Sequence, residues 1–261
     1  MNLPNRHIQN LLDCLTRSRL SFALYRLPWT DECYFVLQQS GDVEQLADIR
    51  ELNKKKGFVM APFLQSDHHP LIVIRPDITA YDWDEISEAI SSLECADALL
   101  TCKNQTEKLS PFVSEETDKE RYTQAFERFI TPLQKKHFQK LVLSRSSTKH
   151  INDDFSPLAA FVRACNNYPR MMIYLCHTPV SGTWVGSTPE ILLSGHGKEW
   201  HTVALAGTMS MQNEVMPMDW DKKNQDEQGY VADYIRRIIK KFGNKMNEKG
   251  PYTARAGQLV H

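Results

Sequence analysis

An excess of charge of one sign is the first thing this sequence lacks. Its 261 residues carry 31 lysines and arginines against 32 aspartates and glutamates, a formal net charge of −1. No global field steers such a chain toward nucleic acid or an anionic membrane surface. Long hydrophobic runs are also missing. No apolar stretch approaches membrane-spanning length, and the opening Met1-Asn2-Leu3-Pro4-Asn5-Arg6 has no basic–apolar–small leader pattern. A cytoplasmic location is the expectation. Six cysteines (Cys14, Cys33, Cys95, Cys102, Cys165 and Cys176) show no Cys-x-x-Cys spacing, which argues against zinc and makes free thiols the expectation. Nine histidines show no His-x-x-x-His pattern, and His68-His69, beside Asp67 and Pro70, reads as a surface pair in a loop. Internal repeats and low-complexity tracts are absent.

What is present is an ordinary globular composition, 41% apolar and 24% charged, enough for one large domain or two small ones. Ile8, Leu11, Leu12 and Leu15 at helical spacing predict a helix over residues 5–17. Leu20–Leu27 and Cys33–Gln38 read as strands around the Pro28-Trp29-Thr30-Asp31 turn. Val43–Lys55 reads as a loop or short helix. Gly57–Phe63 and Pro70–Arg75 read as a second strand pair, and Tyr81–Leu93 as a short helix. Residues 95–117 turn polar and weakly patterned. They read as a connecting segment between an N-terminal lobe, 1–94, and a second region, 118–261.

In that region Tyr122, Ala125, Phe126, Phe129, Ile130 and Leu133 predict a helix over Asp118–Lys135. Lys140–Arg145 reads as a strand. Ser156-Pro157 carries an N-cap and first-turn signature before a helix over Leu158–Tyr168. Met171–His177, Thr183–Val185, Glu190–Ser194 and Glu199–Leu205 read as one antiparallel sheet. Asp221–Phe242 reads as a helix stopped by Gly243. Tyr252–His261 reads as a strand.

Three charged residues stand at the edges of apolar runs: Lys140 opens one, Glu190 sits between Pro189 and Ile191-Leu192-Leu193, and Glu227 falls in the first turns of the last helix. An ionised group at a core edge is costly unless paired or used. Each also reads as a solvent-facing or snorkelling side chain, and Gly186–Thr208 as a plain hairpin with a surface glutamate. A neutral lysine and a protonated glutamate on opposite walls of a cleft act as general base and general acid, and a further carboxylate suits a hard cation.

Gln139-Lys140-Leu141-Val142-Leu143-Ser144-Arg145, Gly186-Ser187-Thr188-Pro189-Glu190, Thr202–Thr208 and Lys223-Asn224-Gln225-Asp226-Glu227 resemble, in order, four signatures of the chorismate-utilising enzymes. The resemblance implies an α+β fold, like that of anthranilate synthase component I, with antiparallel sheets flanked by helices. It is similar most to the isochorismate synthases. A lysine at the position of Lys140 goes with water as the nucleophile, where anthranilate synthases carry glutamine. Ala206 replaces the nucleophilic lysine of aminodeoxychorismate synthases.

The resemblance implies Lys140 as general base, Glu190 as general acid, Ala206, Gly207 and Thr208 as substrate-binding residues, and Glu227 as a ligand of Mg2+. The substrate would be chorismate, with no nucleic acid or membrane partner, and menaquinone synthesis is preferred over siderophore synthesis as the pathway. Salicylate synthase and a non-catalytic remnant of the family are the alternatives. Two residues depart from the family pattern: Gln228 where many members carry histidine, and Asn224 where many carry an acid. The family also continues beyond the segment resembling Ala254–His261. On that ground a C-terminally truncated chain is expected, weakly active or inactive, with exposed sheet edges open to self-association.

Overall fold

The computed structural model describes residues 1–93, 115–152, 154–211, 215–243, 245–256 and 259–261. Most of the expected connecting segment, and Cys95 and Cys102, lie outside the described residues. The chain forms two compact units, one of residues 1–105 and 154–189, the other of 106–153 and 190–261.

The first unit grows around strand β1 (Ser21–Arg26). Alternate side chains of a strand face opposite sides, and β1 uses both. Phe22 and Leu24 enter one buried apolar cluster and Ala23 another. β2 (Tyr34–Gln38) pairs with β1 antiparallel, Ala23 opposite Val36. On the other edge of β1 lies β7 (Met172–Thr178), with Ala23 opposite Cys176. β6 (Ile78–Tyr81) and β8 (Gly182–Thr188) complete a five-stranded sheet in the order β6-β2-β1-β7-β8. Gly186 sits opposite Tyr174 in β7, and a Cβ there would fall 2.2 Å from the tyrosine ring.

One face of this sheet carries helices α1 (Arg6–Leu15), α2 (Asp82–Ser91) and α4 (Pro157–Asn167). Ile8, Leu11, Leu12 and Leu15 are all buried, as their spacing predicts. Ser156 caps α4, its hydroxyl accepting from the Ala159 N–H at 2.9 Å. On the other face β5 (Leu71–Ile74) is flanked by β3 (Glu44–Leu46) and β4 (Phe58–Met60). The four described cysteines form no disulfide with one another, and burial pushes the Cys33 and Cys176 thiols up to about 12.

Three strand expectations need correction. β7 and β8 join β1 rather than the segments that follow them. Glu190–Ser194 and Glu199–Leu205 are strand only at β9 (Ser194–His196) and β10 (Glu199–His201), which pair with each other alone. Lys140–Arg145 is irregular. An apolar run becomes a strand only where a neighbour supplies backbone partners, and no described strand lies beside residues 140–145.

The second unit also holds α3 (Glu115–Gln134) and α5 (Lys222–Ile239). A small sheet adds β11 (Met209–Ser210), β13 (Leu259–Val260) and β12 (Arg255–Ala256), in that order across the sheet. Among the described residues, all three buried apolar clusters belong to the first unit. Among the described residues of the second, only Ala256 and Val260 are buried apolar side chains. The predicted stripe of α3 forms, yet Tyr122 and Phe126 on it remain exposed. No described helix is long and apolar enough to cross a membrane.

Arg26 fastens the end of β1 to the turn entering β7. Its guanidinium is buried and donates to the carbonyls of Thr30, Pro169, Tyr168 and Met171 at 2.7–3.1 Å. Arg26→Met removes all four of these hydrogen bonds, although the Tyr168 and Pro169 carbonyls keep backbone donors in Met171 and Trp29, and is expected to cost about 3 kcal/mol in chemical denaturation. Arg26→Lys, which lacks the planar fork, should recover less than half of that loss. A change below the error of the measurement would show that the clamp contributes nothing.

Candidate functional site

All the candidate site residues except Glu190 meet at the N-terminal turns of α5. Asp221 caps the helix, accepting from the Asn224 N–H at 2.8 Å, and that bond holds the Asp221 carboxyl below its ordinary range. Glu227 follows two helical turns into the chain, where its side chain meets Lys140.

Lys140 lies on the irregular segment after α3 and reaches α5 by its side chain. Its Nζ donates to Glu227 Oε1 at 2.7 Å, and each side chain keeps 30% of its surface exposed. Lys223 Nζ stands 3.6 Å from the other carboxylate oxygen. The hydrogen bond from Lys140 is the main force holding the Glu227 carboxyl below its usual range, against burial, which acts the other way. As it stands the pair is a cation and its counter-ion. For Lys140 to accept a proton, that bond must open.

Ala206-Gly207-Thr208 lies against the same helix. The Ala206 N–H donates to Gln228 Oε1 at 3.0 Å, and Gln228 Nε2 donates to the Ala204 carbonyl at 2.9 Å. The Thr208 N–H donates to Asn224 Oδ1 at 3.0 Å. Gly207 has φ +73°, and a Cβ on it would lie 2.9 Å from the Asn224 carbonyl oxygen. Only glycine combines that left-handed backbone with so close a helix. The Thr208 hydroxyl also meets His261 Nδ1 at 3.1 Å.

Glu190 is exposed on the irregular stretch between β8 and β9. Beside it the hairpin closes: the Val203 N–H donates to the Ile191 carbonyl at 3.4 Å, and the Thr202 hydroxyl to the Leu192 carbonyl at 2.8 Å. Glu190 and Ala204–Thr208 therefore leave the base of one hairpin, whose tip is β9 and β10. The structure thus joins Lys140 to Glu227 and the Ala206–Thr208 turn to α5, and places Glu190 at the base of the hairpin on the arm opposite the one that leads to the turn.

A Mg2+ ion calls for several oxygen ligands in near-octahedral order. Among the described residues no three histidine, cysteine, aspartate or glutamate side chains converge where they could hold a metal ion. The carboxylate of Glu227 faces two ammonium groups instead. The donors described around Glu227 do not fit Mg2+.

Asn224 and Gln228 are the residues that sequence reasoning passed over as functional. They stood out only as departures from a family pattern. The available signal was their spacing of four, which puts two carboxamides on one helix face.

Over residues 50–261 the sequence matches the family of chorismate binding enzymes. No curated protein matches it. Among solved structures, MenF, the menaquinone-specific isochorismate synthase from Escherichia coli, is similar in fold along the whole of this chain, with a TM-score of 0.55 at 15% identity. This chain spans 66% of the length of that one.

Two outcomes test the geometry. In a carbon-detected NMR titration the Glu227 carboxyl should have its midpoint below that of an ordinary glutamate, and Lys140→Met should move it upward. The Lys140–Glu227 pair thus adds stability at neutral pH that fades as pH falls through the lowered midpoint. An unmoved midpoint in the variant would mean that the ion pair does not form in solution. Gly207→Ala, strained in φ and pressed on α5, should destabilise the chain by about 1–3 kcal/mol in thermal or urea unfolding. A neutral effect would place the turn away from the helix.

Proposed function

The chain belongs to the family of chorismate-binding enzymes, and from that premise we propose that it acts on chorismate as an isochorismate synthase. The observation that carries the reading is the Lys140–Glu227 pair on the same helix that holds Ala206-Gly207-Thr208. The family match, residues 50–261, includes every one of these residues and Glu190.

In this reading water adds to C2 of the ring while Lys140 takes its proton. Glu190 gives a proton to the C4 hydroxyl, which departs as water. One water enters and one leaves, so the product is an isomer of the substrate. The two proton transfers have opposite requirements: Lys140 must start neutral and Glu190 must start protonated. Ala206-Gly207-Thr208 lines the ring, with glycine allowing close backbone approach.

The resting arrangement works against fast turnover. The amine that should receive a proton from water is donating one to Glu227. Low activity of the 261-residue chain is therefore part of the proposal. A non-catalytic role gains support from the same bond and from the lack of a converging metal-ligand cluster among the described residues.

Purified chain incubated with chorismate is expected to yield isochorismate slowly, without pyruvate, as followed by chromatography and a pyruvate-coupled assay. Lys140→Met and Glu190→Gln should each lower that rate by roughly 10²-fold or more and leave chorismate affinity nearly unchanged. Stoichiometric pyruvate would point instead to salicylate synthesis. Binding with no turnover would identify a non-catalytic chorismate-binding module.

A further inference from the structure

We propose that Asn224 and Gln228 are positioning residues of the ligand pocket, whose carboxamides set the backbone of Ala204–Thr208 and so the shape of the turn that receives chorismate. The ligand's identity rests on the function proposed above. The clamp itself rests on geometry alone.

The bonded groups are the Ala204 carbonyl, the Ala206 N–H and the Thr208 N–H, at every second residue. Gly207, with φ +73°, bends the chain between the last two of these groups, so they meet the helix as a turn and not as a straight strand. All three groups are nevertheless turned to α5. Among the described residues no strand pairs with this segment, and the helix supplies side-chain amides in a strand's place.

Only a carboxamide can do this at both positions. Gln228 donates to Ala204 and accepts from Ala206. Asn224 accepts from Thr208 and donates to Asp221 Oδ2 at 2.9 Å. A carboxylate accepts but cannot donate, and at residue 224 it would confront the Asp221 carboxylate. Asn224 is only 8% exposed, so water offers no easy substitute for its bonds.

The clamp also restricts what the turn can recognise. The N–H groups of Ala206 and Thr208 are spent on α5. They cannot donate to a ligand carboxylate, so the carboxylates of a substrate must be held by other groups.

The test uses the full chain, 15N-labelled, with hydrogen exchange of single amides and chorismate affinity measured by calorimetry. Gln228→Ala should speed exchange of the Ala206 amide, and Asn224→Ala that of the Thr208 amide, each by roughly two- to tenfold. Amides of β1 and β7 should keep wild-type rates, showing that the chain remains folded. Gln228→Glu keeps an acceptor for Ala206 and should restore most of that protection. Both alanine variants should weaken chorismate binding by about three- to tenfold, while Asp226→Asn on the exposed face of α5 changes neither readout.

Faster exchange with unchanged affinity would reduce the clamp to a structural role and overturn the proposal. Unchanged exchange would overturn it directly. Failure of the wild-type chain to bind chorismate would defeat the proposed function instead, and the exchange rates alone would then uphold or overturn the clamp.

Discussion

A backbone N–H or C=O withdrawn from water must be paired, and along one stretch of the second unit, Ala204–Thr208, that requirement is met by side chains. The five-stranded sheet of the first unit satisfies its backbone by ladder and its apolar residues by two covered faces. The segment Ala204–Thr208 has no such ladder. Two carboxamides one helical turn apart pair its edge, and a glycine lets the helix come close enough for them to reach. With few buried apolar side chains nearby, these polar contacts decide where the turn lies. The same helix then presents Glu227 to Lys140, so the turn and the ion pair share one support.

Patterns with a local cause were legible in the sequence. The stripe Ile8-Leu11-Leu12-Leu15 and the cap at Ser156 are set by residues within one or two turns of one another, and the structure has them where they were expected. Sheet partnership was not legible. Met171–His177 and Thr183–Val185 have strand composition, but nothing in them says that their partner is Ser21–Arg26. Lys140–Arg145 failed for the matching reason: its apolar run describes a strand, and a strand needs a neighbour.

Lys140, Glu227 and the Ala206–Thr208 turn could be singled out as candidates because charges and small residues stood in unusual settings, and all of them lie within the family match. Their relation to one another could not be read. Lys140 and Glu227 were expected in separate roles, base and metal ligand, and the structure puts them in one hydrogen bond. Opposite charges in a half-exposed setting find each other when no other partner is held in place, because pairing costs each less than solvating alone against a helix surface. Gln228 and Asn224 were visible only as exceptions. Their role depends on where Ala204–Thr208 runs, which no local pattern reveals.

The pairing of β1 with β7 also has a temporal side. Residues 21–26 leave the ribosome long before residues 172–178, and the whole excursion that carries Lys140 is made in between. Until the later strand arrives, β1 is an edge: hydrogen-bonded to β2 on one side, open on the other, with apolar residues on both faces. Closing the sheet across so long a loop is a slow, high-contact-order step. During synthesis the centre of the finished sheet is thus, for a time, its most vulnerable margin, and the nascent chain must be kept from other strands until its own return segment emerges.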